Sequence, residues 1–309
     1  MFTVNLDEPA GPTPLGVVVA FGDPTSERAE YWLKTATFTL VEGPSADRRA
    51  VSVDSIAAAL DQLAGRVARW PQAAAVCDDV LRTINPDGPT LPGLITESLA
   101  YSTLQSGPEF ARWLAERGPA TVPVLPDPVI VERGRDDLFV RFNRPSRHNA
   151  FSNDARAALL DAVEIAWLDP SVLGFVLGGN GPSFCSGGDL AEFGSFDDPA
   201  SAHLARTRHS PALALDALTM RFHVGCRAEV HGQVLGSGLE MAAFCGHVAC
   251  RPGAVLGLPE LALGLIPGAG GTVSITRRIG RWRTAYLVLS GATIDPATAL
   301  DWGLVDEVF

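Results

Sequence analysis

The 309 residues carry 24 basic against 35 acidic side chains, a net charge of −11, and 47% of them are hydrophobic. That length suits one large domain with an appendage, or two domains, and the acidic balance argues against a general binder of nucleic acid or of anionic membranes. Five cysteines without a C-x-x-C pair are poor material for a disulfide framework or a zinc site and fit a reducing cytoplasm.

The opening MFTVNLDEPAGPTP is acidic and proline-rich, and no apolar run reaches spanning length, so neither a signal peptide nor a membrane helix is expected. Residues 1–50 are ambiguous; Val17–Phe21 reads equally as a strand or a buried helical turn. From 53 to 117 the pattern is helical. Ile56, Ala59, Leu60, Leu63 and Val67 recur at i, i+3, i+4 and i+7 spacing, Asp54 or Ser55 can cap the start, and Pro71 ends the run. Two or three further helices follow, over PQAAAVCDDVLRTI and ESLAYSTLQSGPEFARWLAERG. The four prolines in RGPATVPVLPDPV (117–129) mark an extended linker. This divides the chain into a mainly helical region over 1–120 and a second region over 128–309.

The second region alternates strands and helices. PVIVERGRDDLFVRF is two strands around a turn, SNDARAALLDAVEIAWLDP a helix, and VLGFVLGG a strand buried on both faces. A long helix is expected around 201–221, then the strand VGCRAEV, a glycine-rich turn, a helix from about Gly238, the strand HVACR and two or three short helices. Such alternation indicates an α/β domain with mostly parallel pairing.

Three stretches carry candidate chemistry. In Gly-Ser-Gly-Leu-Glu (236–240), between strand and helix, the first helical N–H groups lack internal partners and would stabilise an oxygen that gains charge. Glu240, one turn in, can face the same side; read alone, the stretch is equally a tight turn with a solvated glutamate. Phe-Cys-Ser-Gly-Gly-Asp-Leu (184–190) likewise offers bare N–H groups, or a turn with Asp189 as N-cap. Glu260 stands in the apolar LGLPELALGLIPGAGGT, where burial should raise its pKa. GAGG there is not a nucleotide loop, because no Lys-Ser/Thr follows and no strand immediately precedes it. Lys34 is the only lysine, so a side-chain grip on phosphate falls to arginine. None of the six histidines shows triad or metal spacing, and Cys185 reads as a packing residue.

Taken in order, FNRPSRHNA, GPSFCSGGDL, AEVHGQVLGSGLEMAAFCGHVAC, LPELALGLIPGAGGTVSITRRIG and GATIDPATALDWGLVDEV resemble the crotonase (enoyl-CoA hydratase/isomerase) superfamily over 128–309. The resemblance implies a crotonase-like spiral of ββα units behind the helical region. It also implies that the backbone N–H groups of Gly188 and Ser237 form an oxyanion hole for an acyl-CoA thioester. Glu240 and Glu260 match the acid/base glutamates of the family's hydratases. Arg144, Arg147, Ser186, Asp189 and Leu190 would border the CoA ester, either arginine being a candidate phosphate grip. The implied reaction is hydration of a 2-enoyl-CoA, or its reverse, through an enolate. No metal or redox cofactor is expected, with coenzyme A entering only as part of the substrate, and a homo-oligomer (trimer or hexamer) is implied.

The nearest alternatives are enoyl-CoA isomerisation and, within the same superfamily, cofactor-free oxygenation of an arylacetyl-CoA. A non-catalytic CoA-ester-binding or assembly protein is the alternative from another class. Ordinary members continue past GLVDEV with helices that pack over the acyl-CoA site, whereas this chain stops at Phe309. Helices within 53–117 are therefore expected to do part of that covering. Phe193 and Phe196 hint at an apolar acyl chain.

Overall fold

Val17, Val19, Phe38, Leu40 and Val51 point to one side, and Val18, Ala20, Val41 and Ala50 to the other. This period-two alternation belongs to a sheet covered on both faces. The computed structural model describes residues 1–195 and 198–309. It begins with β1 (Phe2–Asn5), β2 (Val18–Phe21), α1 (Ala29–Thr35), β3 (Phe38–Glu42) and β4 (Ala50–Val53). The four strands form one all-parallel sheet in the order β1-β2-β3-β4. The ambiguity of residues 1–50 is thus resolved as sheet: a short apolar run buried on both faces has no periodicity to separate it from a helix.

Four helices follow: α2 (Ile56–Arg69), α3 (Pro71–Thr83), α4 (Thr90–Gln105) and α5 (Pro108–Arg117). Ser55 caps α2 by accepting from the Ala58 N–H. Pro71 takes the first position of α3, where its missing donor leaves no bond unmade. The third helix starts at Thr90, earlier than ESLAYS suggests, with Pro92 tolerated in its first turn. Glu97 is therefore a mid-helix residue.

The second region contains β5 (Val129–Gly134), β6 (Asp137–Phe142), α6 (Asn153–Leu168), β7 (Gly174–Gly179), α7 (Pro199–Arg208), α8 (Pro211–Phe222) and β8 (Cys226–Val230). After them come β9 (Gln233–Leu235), α9 (Ser237–Ala242), β10 (His247–Cys250), β11 (Val255–Gly257), α10 (Gly271–Ser290), β12 (Thr293–Ile294), α11 (Pro296–Trp302) and β13 (Glu307–Val308). The main sheet runs β13-β10-β8-β7-β6-β5, parallel except for the β5–β6 hairpin, and β12-β11-β9 form a small second sheet. The single helix expected over 201–221 is two. Pro211 cannot continue the hydrogen bonding of α7, and Ser210 caps α8 by accepting from Leu213 N–H.

One hydrophobic core is continuous across both regions. It runs from Phe38, Leu63 and Leu94 to Phe142, Leu177 and Leu287. Arginines add polar ties: Arg66 to the Leu289 carbonyl, Arg281 to the Ala36 carbonyl, and Arg206 of α7 to Ser98, Ser102 and Gln105 of α4. Among the described residues no helix is long and apolar enough to cross a membrane.

Candidate active site

Two turns at the ends of β7 and β9 meet. Cys185 bridges Val234 as a short parallel strand would, with Cys185 N–H donating to Gln233 O at 3.1 Å and Leu235 N–H donating to Cys185 O at 3.0 Å. Phe151 clasps the far side, donating to Gly187 O and accepting from Asp189 N–H. Between these pairings the N–H of Gly188 has no acceptor among the described residues. The same is true of the N–H of Ser237, the first residue of α9. Gly188 and Ser237 line a single cavity of about 180 Å³ together with Glu240 and Glu260. Cys185 packs behind it, and burial pushes its thiol up to about 12.

Both carboxylates are buried, Glu240 at 1% exposure and Glu260 at 8%. Oε2 of Glu240 accepts from Ala269 N–H and Gly271 N–H, each at 2.7 Å. Glu260 opens the short turn Glu260–Leu263, and its Oε2 has no partner among the described residues. Its other oxygen lies against Gly236, where an added Cβ would come within 2.5 Å and where φ is +49°. Only glycine fits that approach, which brings the carboxylate beside the 236–240 turn. Burial raises Glu260 to about 8. Burial first, then the charges of Glu260 and Glu97, drive Glu240 well above the ordinary carboxylate range against its two N–H donors.

A third carboxylate, Glu97 of α4, borders the same cavity at 1% exposure. It accepts from Gly270 N–H at 2.8 Å, Thr272 N–H at 3.0 Å and Thr272 Oγ1 at 2.7 Å. Burial lifts it to about 7, although these donors and Arg206 oppose the shift. The glycine-rich stretch that invited a phosphate reading thus cradles two of the protein's own carboxylates. Sequence reasoning missed Glu97, but a signal was present: it is the only charged residue in the sixteen of α4. Tyr101, Arg206 and His209 also line the cavity without having been singled out.

Helices of the first region cover this cavity, as the sequence led one to expect. Leu94, Glu97, Ser98, Tyr101 and Gln105 of α4 form part of its wall. From α5, Trp113 meets Phe193 edge-on at 5.9 Å and Arg117 donates to the carbonyls of Leu190 and Phe193. Phe193 lines the cavity; Phe196 lies outside the described residues.

The CoA-bordering assignments fare differently. Arg144 is 3% exposed and spends its guanidinium on Ala150 O and, at 2.8 Å, on Asp189 Oδ2, so it is not free to grip a phosphate. Arg147, partly exposed, donates to Asp189 Oδ1 at 2.8 Å. Burial works against the charge of Asp189, but its bonds from Arg144 and Arg147 outweigh it and hold the carboxyl below its usual range. Asp189 caps no helix, since the residues directly after it form a turn; it accepts from Ala191 N–H there. Ser186 and the half-exposed Leu190 stand outside the cavity lining. No group of side chains suited to hold a metal ion occurs among the described residues.

Parallel β/α units that bring two unpaired amides and buried glutamates to one cavity define an α/β enzyme of the crotonase type. The family profile described as Enoyl-CoA hydratase/isomerase matches residues 138–309, more than half of the chain. The 2,3-dehydroadipyl-CoA hydratase of Escherichia coli (strain K12) is 36% identical over 181 residues, covering 59% of this chain and 69% of that protein. An enoyl-CoA hydratase crystal structure from Thermoplasma volcanium GSS1 is 32% identical with a TM-score of 0.51, covering 59% of this chain and 71% of that one. DspI of Pseudomonas aeruginosa is 28% identical with a TM-score of 0.53, covering 62% and 71% respectively. The chain belongs to the enoyl-CoA hydratase/isomerase family, and it is an enzyme.

Proposed function

We propose that the protein hydrates a 2-enoyl-CoA thioester, with the reverse dehydration on the same path. The observation that carries this reading is the convergence of two unpaired amides, Gly188 and Ser237, on a cavity walled by two buried glutamates. The thioester oxygen sits between the two N–H groups. Donation there draws electron density from the β carbon and stabilises the enolate oxygen once water adds, each donor contributing roughly 3 kcal/mol to the transition state.

Glu240 is the base. That assignment rests on geometry: its two amide donors stabilise the ionised form against the upward pull of burial and of the Glu260 and Glu97 charges, and its carboxylate takes a proton from water as the water oxygen bonds to the β carbon. Glu260 is the acid, because a carboxyl group with an unpartnered buried oxygen is held neutral. It gives its proton to the α carbon as the enolate collapses. The proton gained by Glu240 then returns to Glu260, and the site is reset. Water and the chain's own groups account for every proton and electron pair.

The test is loss of the conjugated absorbance of crotonyl-CoA. Wild-type protein consumes it, and Glu240→Ala and Glu260→Ala each slow consumption by about 10²–10⁴-fold. Unchanged consumption in the double variant would remove the glutamates from the mechanism.

A further inference from the structure

We propose that Glu97 is a positioning residue of this active site, supplied from outside the segment that matches the family profile: it holds alternate amides of the 269–272 turn and thereby fixes the carboxylate of Glu240. The inference rests on the hydratase reading for its kinetic expression but on geometry for its substance. Four consecutive N–H groups open α10. Those of Ala269 and Gly271 go to Glu240, and those of Gly270 and Thr272 go to Glu97. Here the successive amides alternate in the carboxylate they meet, so each acid takes every second donor. Glu240 approaches from α9 and Glu97 from α4, and the turn is clamped between them. Removing Glu97 leaves three buried donors unpaired, two amides and the Thr272 hydroxyl, and frees the turn to rotate, which carries the Glu240 partners with it.

Charge couples the pair as well. Glu97 faces Tyr101 on its own helix, Arg206 of α7, Glu240 of α9 and Glu260 of the short turn. When ionised, it opposes ionisation of Glu240 and Glu260. A merely structural clamp would not alter a pH profile; this one does.

Glu97→Gln keeps the side chain's size but faces one of the two amide donors with an NH2 group. The expected result is a fall in kcat of about 10²-fold with KM within about threefold. The alkaline limb of kcat moves to lower pH, because the neighbouring carboxylic acid loses its proton more easily without a second negative charge. Thr272→Val keeps the charge and removes only the hydroxyl donor, so a smaller fall in kcat without that downward shift is expected. Amide hydrogen exchange over 269–272, read by mass spectrometry, should quicken at least about tenfold in Glu97→Gln.

The proposal is overturned if Glu97→Gln loses thermal stability while kcat per folded molecule and the pH profile are unchanged, or if exchange at 269–272 stays at the wild-type rate. Should the wild-type protein hydrate no enoyl-CoA, the hydratase reading falls by itself. The same variants are then compared by exchange of the α protons of butyryl-CoA in D2O, and the amide-exchange arm still decides whether Glu97 holds the turn.

Discussion

Glu240 and Glu260 sit in one cavity but in unlike surroundings, one held by two amides and the other with an unpartnered oxygen. In the proposed mechanism these surroundings divide the roles of base and acid between them, and their titration belongs to the pair rather than to either residue. The sign of the pH dependence follows. On the proposed mechanism, activity should fall as pH drops and the base takes up a proton, and fall again as pH rises through about 8 and the acid at Glu260 ionises. Because both shifts are upward, the bell of kcat/KM should lie on the alkaline side of the range for ordinary carboxylates. Stopped-flow rates across pH 5–10 check this, and Glu260→Gln should lack the alkaline limb.

The turn before α10 is where element geometry becomes chemistry. The N-terminus of α10, a helix kinked at Gly280, meets two carboxylates, Glu97 and Glu240, and its partial positive charge offsets part of the cost of burying them. Gly271 is a close approach: a Cβ there would lie 2.5 Å from Cγ of Glu240. Gly271→Ala should therefore displace the carboxylate, lowering kcat by at least about tenfold while destabilising the fold by about 1–3 kcal/mol. Paired turnover and thermal-melt measurements separate the two effects; an unaltered kcat would show that the turn does not place Glu240. At this scale the sequence was partly legible. Ser55 was offered with Asp54 as the cap of the first helix and Pro71 as its end; Ser55 does cap α2, which stops at Arg69, and Pro71 opens the next helix. The break at Pro211 was not read, and of the sheet in residues 1–53 only Val17–Phe21 was offered as a strand, equally with a helical turn, because an apolar run buried on both faces carries no period.

Across the whole molecule, the continuous core and the arginine ties make the first region part of the enzyme's wall rather than a separate attachment. Unfolding should accordingly be a single cooperative transition, with tryptophan fluorescence and far-UV circular dichroism giving coincident midpoints. Two separated transitions would contradict it. The buried carboxylates also set how stability varies with pH. Glu97, Glu240 and Glu260 have folded values above 4.5, two of them about 7 and about 8. Between 4.5 and these values the folded state binds more protons than the unfolded chain. Their contribution is thus complete below about pH 4.5 and lost as pH rises through 7 and 8. Thermal melts from pH 5 to 9 should show the decline, and Glu97→Gln should flatten its first part.

Local order was written in the chain itself, in the succession of strands and helices after residue 128 and the two small-residue turns ahead of an acid, whereas the pairing of Glu240 with Glu260 came from the resemblance to the family. The first two are properties of neighbours in sequence, where bare backbone and a nearby carboxylate can be seen side by side. That Arg144 serves Asp189 instead of a ligand, and that Glu97 joins the site from more than a hundred residues before Glu240, was decided only by tertiary packing. A buried charge takes its meaning from the donors folding brings to it, and those donors lie on other elements.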